Sequence, residues 1–285
     1  TFKDLDKYIV MMYLVRNFWQ NLSSKFHYLS MDEFYDLETV TIEKINLIRI
    51  SSELNIPKET IRRKVNELQQ DNILAREGKK ITFNKKGIEF QKPTDTVELL
   101  STFIEKKSRM MHGQDWFGDY LNKQQIKTFI KKYFTVVWLR YFKMQIPFLI
   151  RHRNTFEDLE TWIVWGNIAL SHQYHLHKAS EKNLLTEDIK IDNYYRNVAD
   201  VKIDRGINAS SIADISTIPR ATVIRKLKWL SKKDVIKKNK YLEYQMKNKG
   251  KLNKQINENF KLNQNYVAEF LTDIFDYMKN SNFKI

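Results

Sequence analysis

The sequence predicts a mainly α fold with small β wings, built around a duplicated helix-turn-helix. Three observations predict it. Residues Ile45–Leu74 return without a gap 162 positions later as Ile207–Ile236, with nine identities in thirty positions. Chance would leave about two, so a repeat of this kind is settled before any other assignment. Apolar residues over most of the remaining chain fall at helical spacing. Seven Gly and four Pro in 285 residues suit long helices joined by short connections.

The first element runs from Leu5 to Leu29, where Tyr8, Met11, Met12, Val15, Phe18, Trp19 and Leu22 make one wide apolar face. Ser30-Met-Asp-Glu33 is a capping-box pattern that opens a short second helix. Phe34-Tyr-Asp-Leu-Glu-Thr39 recurs as Phe156-Glu-Asp-Leu-Glu-Thr161, each after an aromatic helix, the second over 126–150. The duplication is therefore expected to include the helix in front of each core repeat. The second copy then carries about forty extra residues, with Trp162, Trp165, His172, His175 and His177 among them.

Within the repeat, Asn46 and Asn208 stand where an N-cap starts the first helix. Its apolar side is Leu47, Ile50 and Leu54, or Ala209, Ile212 and Ala213. A turn through Asn55-Ile56 or Thr217-Ile218 leads to Pro57 or Pro219, at a helix start that tolerates a missing N–H. The second helix buries Ile61, Val65 and Leu68, or Val223, Leu227 and Leu230. Apolar alternation around a turn then marks a hairpin in each copy: 73–76 with 80–83, and 235–238 with 241–244. Helix, turn, helix and hairpin together make a winged helix. Gln264–Lys279 is an amphipathic helix, expected to pack on the central helices or, alternatively, to form a dimer seam.

The expected organisation is a helical segment over 1–38, winged helices over 39–92 and 206–252, an aromatic helical core over 93–205, and a C-terminal helix over 253–285. The two winged helices are expected in a pseudo-twofold arrangement.

The chain carries 49 Lys and Arg against 34 Asp and Glu, a net charge of +15. AT-rich coding drift can raise Lys by itself, and distribution separates drift from function. Residues 39–92 are net +5, residues 205–254 are net +11, and the other 181 residues sum to −1. The excess lies on the two repeats, which points to a polyanion. The absence of Cys excludes disulfides and thiolate zinc sites. Tyr8–Val15 is too short for a span, and Tyr133–Ile150 contains Arg140, Lys143 and Pro147, so no membrane segment is expected. Without a small-residue cleavage site, the expectation is a cytoplasmic, nucleoid-associated protein.

Ile218-Pro-Arg-Ala-Thr-Val-Ile-Arg-Lys-Leu-Lys-Trp-Leu-Ser-Lys-Lys-Asp-Val-Ile236 resembles the recognition helix and following wing of bacterial winged-helix transcriptional regulators, of the MarR-like and GntR-like types. The likeness covers about fifty residues in each repeat. It implies double-stranded DNA as partner and transcription control as function. MarR-type regulators are homodimers with one winged helix per chain, whereas this chain carries two.

A helix in the major groove shows its N-terminal residues to base edges, while cations and hydroxyls beside it hold phosphates. Outward positions on the first recognition helix are Lys58, Glu59, Arg62, Arg63 and Asn66; on the second they are Arg220, Ala221, Ile224, Arg225 and Lys228. The shared Thr60/Thr222, Arg63/Arg225 and Lys64/Lys226 form the expected phosphate-directed docking set. The differing Lys58/Arg220, Glu59/Ala221 and Arg62/Ile224 predict two unlike half-sites, with Ile224 able to touch a thymine methyl. Wing residues Lys79, Lys80 and Lys240 are expected to reach the backbone or minor groove. Because Glu53, Glu59 and Glu67 dilute the first copy, the second is expected to dominate affinity.

Other chemistry is thin. His172, His175 and His177 lie close in sequence, yet His177 is far round a helix from His175 and no carboxylate follows before Glu181. Neither a phosphate-binding glycine loop nor a nucleophile elbow is present, so no catalysed reaction, metal or cofactor is expected. Trp116, Phe117, Phe129, Phe134, Trp138, Trp162 and Trp165 are expected to form core, with an effector pocket as the alternative. Two rival functions remain: a plasmid-type replication initiator with tandem winged helices, and an interaction module whose partner would be RNA polymerase.

Overall fold

The computed structural model describes residues 4–25, 27–90, 92–111, 121–180, 203–247 and 250–281. The described chain is mainly helical, with two small antiparallel sheets. It divides into two compact units, Thr1–Pro147 with Val267–Ile285, and Phe148–Tyr266.

The first unit opens with α1, Leu5–Ser24, whose N-cap Asp4 accepts a hydrogen bond from the Lys7 N–H. Ile9 to Val15 are all buried, so this helix is the spine of the unit. The capping box at Ser30 is present: its hydroxyl accepts from the Glu33 N–H, and the Glu33 carboxylate accepts from the Ser30 N–H, starting α2, Met31–Asp36. Strand β1, Thr39–Ile42, precedes α3, Leu47–Leu54, and α4, Lys58–Gln70. Asn46 caps α3, and Asn55 leaves it at φ 50°, a left-handed turn that Asn tolerates well. Strands β2, Leu74–Glu77, and β3, Lys80–Asn84, complete a sheet of order β1-β3-β2, with Gly78 at φ +59° in the tip. Then follow α5, Lys85–Glu89, α6, Thr94–Met111, α7, Lys123–Lys132, and α8, Phe134–Phe156.

The aromatic residues of this stretch form core. Phe134 stacks on Trp138 at 4.9 Å, and Trp19 meets Phe34, Phe134 and Phe142 at 5.1–6.0 Å. Trp116 and Phe117 lie outside the described residues. The helix expected over 126–150 is instead two helices that meet at Tyr133, and the stretch 93–205 is divided between the units at Pro147.

In the second unit α9, Leu159–Ser180, precedes α10, Ala209–Ser216, and α11, Arg220–Lys232. The helix boundaries of the two repeats coincide residue for residue at the offset of 162. Backbone detail follows: Thr217 is left-handed where Asn55 is, and Asp234 where Asn72 is. Ile212, Val223, Leu227 and Leu230 are buried against Val164, Trp165 and Ile168 of α9. Strands β4, Ile236–Lys238, and β5, Tyr244–Met246, form the hairpin, and an isolated bridge between Ile207 and Tyr244 stands where β1 stands in the first unit. The hairpin was expected to resume at Tyr241. It resumes three residues later because Asn239 builds a longer turn, its side-chain oxygen accepting from the N–H groups of Tyr241 and Glu243 at 3.0 and 2.9 Å.

The repeat of Phe34–Thr39 in Phe156–Thr161 does not correspond to a structural equivalence. Asp36 closes α2 and Thr39 opens β1, whereas Asp158 precedes α9 and Thr161 lies within it. The true counterpart of α9 is α1. Thr1-Phe-Lys-Asp-Leu-Asp-Lys-Tyr-Ile-Val10 aligns with Thr155-Phe-Glu-Asp-Leu-Glu-Thr-Trp-Ile-Val164 at an offset of 154, with six identities in ten. Asp158 accepts from the Thr161 N–H as Asp4 does from that of Lys7. Each unit also leaves a cavity of about 300 Å³ beside this helix, the first lined by Tyr8 and Trp19, the second by their counterparts Trp162 and Gln173.

The last helix, α12, Leu252–Asn280, begins twelve residues before the predicted start. Phe270, Leu271, Ile274, Phe275 and Met278 are buried within the first unit, so the face proposed as a dimer seam is covered by the chain itself. Among the described residues no helix is long and apolar enough to cross a membrane.

Two predictions arise from this packing. A Cβ on Gly87 would lie 2.1 Å from the Ile73 carbonyl oxygen, and one on Gly250 equally close to that of Lys233. Backbone has little room to retreat, so Gly87→Ala and Gly250→Ala should each cost about 3 kcal/mol in urea unfolding. A cost under about 1 kcal/mol would mean the approach is not held.

His152 is buried between Trp162, stacked at 4.9 Å, and the edge of Phe148 at 4.4 Å. Desolvation, helped by the neighbouring Arg151 charge, pushes its pKa down to about 4. The unfolded chain therefore binds a proton that the folded chain refuses between roughly pH 6.5 and 4. Stability is complete above that window and falls as pH drops through it, by about 3 kcal/mol in all. His152→Phe should flatten this loss in melts recorded at pH 7.5 and 5. Equal acid sensitivity in both proteins would remove the assignment.

Candidate nucleic-acid interface

Each repeat turns one helix face outward because the other is anchored. Ile61, Val65 and Leu68 hold α4 down, as Val223, Leu227 and Leu230 hold α11. Lys58, Glu59, Arg62, Arg63 and Asn66 are consequently exposed on α4, and Arg220, Ala221, Arg225 and Lys228 on α11. Thr60, Thr222 and Ile224 lie half-buried at the margins of these faces.

The electrostatics of the two faces differ. On α4 the Arg62 guanidinium chelates Glu59, with Nε 3.0 Å from Oε1, and this hydrogen bond holds the Glu59 carboxyl below its ordinary range. Arg63 reaches Glu67 at 3.3 Å. At the first hairpin Lys80 lies 3.8 Å from Glu43, while Lys79 is exposed. Local carboxylates thus occupy most cations of the first face. On α11 the Arg220 Nε donates to the Ser210 hydroxyl at 3.1 Å. Arg225, Lys228 and the hairpin residue Lys240 have no carboxylate partner among the described residues. Their charge is available to an incoming anion.

Lys64 and Lys226 do not belong to either face. Their side chains are 6% and 11% exposed and turn inward. Lys64 bonds the Asp4 carboxylate, with Glu67 at 3.0 Å, and Lys226 bonds Asp158, with Glu160 at 3.8 Å. Burial alone would raise the Asp158 carboxyl, but hydrogen bonds from Lys226 and Thr161 outweigh it and hold the pKa below its ordinary value. Both lysines therefore tie the second helix of the repeat to the N-terminus of the long helix ahead of the repeat, α4 to α1 and α11 to α9, in the same geometry twice. This tie accounts for their identity across the repeat without any phosphate contact.

Several residues at the second hairpin escaped sequence reading. Arg205 lies beside the hairpin, where it bonds Glu243 at 2.8 Å, and Tyr241 and Leu242 stand exposed at the tip. The Asn239 turn was the available signal for the tip; nothing in spacing marks Arg205.

His172 is buried, His175 half-buried and His177 exposed, and among the described residues no three His, Asp or Glu side chains converge. Glu181 lies outside the described residues. Compared with protein-family models, with curated proteins and with solved structures, the chain matches none.

Proposed function

We propose that this chain is a sequence-specific double-stranded DNA-binding protein that regulates transcription, with two unlike winged helices reading an asymmetric site. The observation that carries the reading is the exposed face of α11. Arg220, Arg225 and Lys228 surround Ala221 and the half-buried Ile224, with no carboxylate among them. This is the composition a major-groove helix needs: apolar contact for a thymine methyl, cations for guanine edges and phosphates. Hairpins following each helix pair supply the wings. The first unit offers a weaker, self-neutralised copy, so it adds register and specificity more than affinity. The protein acts by occluding a promoter or recruiting polymerase to it, and catalyses nothing.

The test is selection of bound duplexes from a random pool, followed by affinity at several salt concentrations. A single asymmetric consensus is expected, with log Kd rising linearly with log salt through counterion release. A palindromic consensus would remove the two-headed arrangement. Salt-independent or absent duplex binding would remove DNA as the partner.

A further inference from the structure

The second wing ends in an unusual point. Leu242 is 65% exposed, and its backbone sits in the left-handed region at φ 62°. Bulky apolar side chains avoid that region, which Gly, Asn and Asp enter at least steric cost. Among the described residues the other six non-glycine positions with positive φ are all polar, and the left-handed residue in the first wing tip is Gly78. A solvent-facing turn therefore carries leucine where glycine or asparagine would serve folding better. Tyr241 beside it is 52% exposed.

The tip is held firmly. The Leu242 N–H donates to the Asn239 carbonyl at 3.1 Å, and the Asn239 N–H to that of Glu243 at 2.8 Å. The Glu243 carboxylate is buried and accepts from the Gly206 N–H at 2.9 Å and from Arg205. With Glu243 turned inward on Arg205, the outward charge of the hairpin itself is entirely positive: Lys237, Lys238 and Lys240. The cations of Arg205 and Lys240 lie 5.4 and 5.0 Å from the Tyr241 ring.

Resting on the DNA-binding reading above, we infer that this tip is a minor-groove wedge: Leu242 enters between base pairs while Lys238 and Lys240 hold the flanking phosphates. Phosphate contact alone requires only the cations. An apolar point ringed by cations fits a polyanion whose interior is apolar, and the base stack of a duplex has that construction. Inserted apolar side chains unstack a step and kink the helix by roughly 20–90°. Flexible pyrimidine–purine steps yield at least expense, so the wedge adds sequence preference at a position no recognition helix touches.

The experiment uses the full chain and duplexes selected from a random pool, substituted stepwise with 2-aminopurine and end-labelled for energy transfer. Wild-type protein should raise 2-aminopurine fluorescence several-fold at one step and shorten the end-to-end distance. Leu242→Asn keeps the left-handed turn, so its thermal melt should match the parent; it should still bind, about ten-fold more weakly, with the fluorescence rise and the bend lost. Lys240→Ala should weaken binding and leave the fluorescence rise in place. A Leu242→Asn protein that unstacks and bends DNA like the parent, or a parent that brightens no step, overturns the wedge while leaving DNA binding intact. Failure of the wild-type protein to bind any duplex overturns the DNA reading itself and the wedge with it.

Discussion

Arg225→Ala is expected to weaken duplex binding by about 10- to 100-fold and to lower the salt slope by about one. Arg62→Ala is expected to change affinity by less than about three-fold. The two positions are not matched in the repeat, yet both are outward arginines, and the sequence already favours Arg225 because Glu53, Glu59 and Glu67 dilute the first copy. The structure supplies the reason in what each must leave. Arg62 is already bidentate on Glu59, so docking on DNA would trade one carboxylate for a phosphate or a guanine, with little net gain. Arg225 is exposed and has no carboxylate to give up. The same reasoning gives a gain-of-function counterpart. Glu59→Ala should release Arg62 and strengthen binding several-fold, most at low salt, where unscreened repulsion between Glu59 and phosphate is largest. Affinity over a salt series for the three variants checks all of this. Equal losses for Arg225→Ala and Arg62→Ala would show that intrahelical pairing does not decide which cation meets DNA.

Much of the fold was legible because the repeat enforces it. Asn46 and Asn208, Pro57 and Pro219, and the apolar triads of α4 and α11 are local signals with local consequences, and the helices begin and end within a residue of where those signals fall. The lysines were not legible in the same way. A lysine identical in both copies of a basic helix reads as a phosphate contact, and Lys64 and Lys226 share that pattern with Arg63 and Arg225. What separates them is angular position, next to the buried Val65 and Leu227, together with carboxylates 60 and 68 residues away in sequence. A short-range pattern cannot report a partner at that separation. The pairing of α1 with α9 was obscured for a related reason. The hexapeptide match at offset 122 was conspicuous, while the decapeptide match at 154 starts at the first residue of the chain. Hydrogen bonding settles between them: Asp4 and Asp158 each cap a helix and each bind a lysine of α4 or α11.

That twin tie leads to the prediction most opposed to the sequence-level expectation. Asp158→Ala should destabilise the protein by about 2 kcal/mol, because it strands a largely buried ammonium with only Glu160 nearby and removes the N-cap of α9. The figure sits below that of a fully buried pair because Asp158 keeps 43% of its side-chain exposure. Lys226→Met should be close to neutral, since methionine fills the same space without needing a partner. In the double variant the loss from Asp158→Ala should shrink to that of the cap alone, about 1 kcal/mol. Acid should mimic the first variant. With its folded pKa below the ordinary value, Asp158 contributes stability above the unfolded pKa, and this is lost as pH falls through the folded one. The functional half of the prediction is sharper. If Lys226 were a phosphate contact, Lys226→Met would cost about ten-fold in affinity and one unit of salt slope. As a tie between α11 and α9 it should leave both unchanged at temperatures where the protein is folded, while Lys228→Met, two residues on and exposed, lowers both. Loss of affinity in Lys226→Met at full folding would return that lysine to the DNA-facing set and leave its bond to Asp158 a contact of the free protein only.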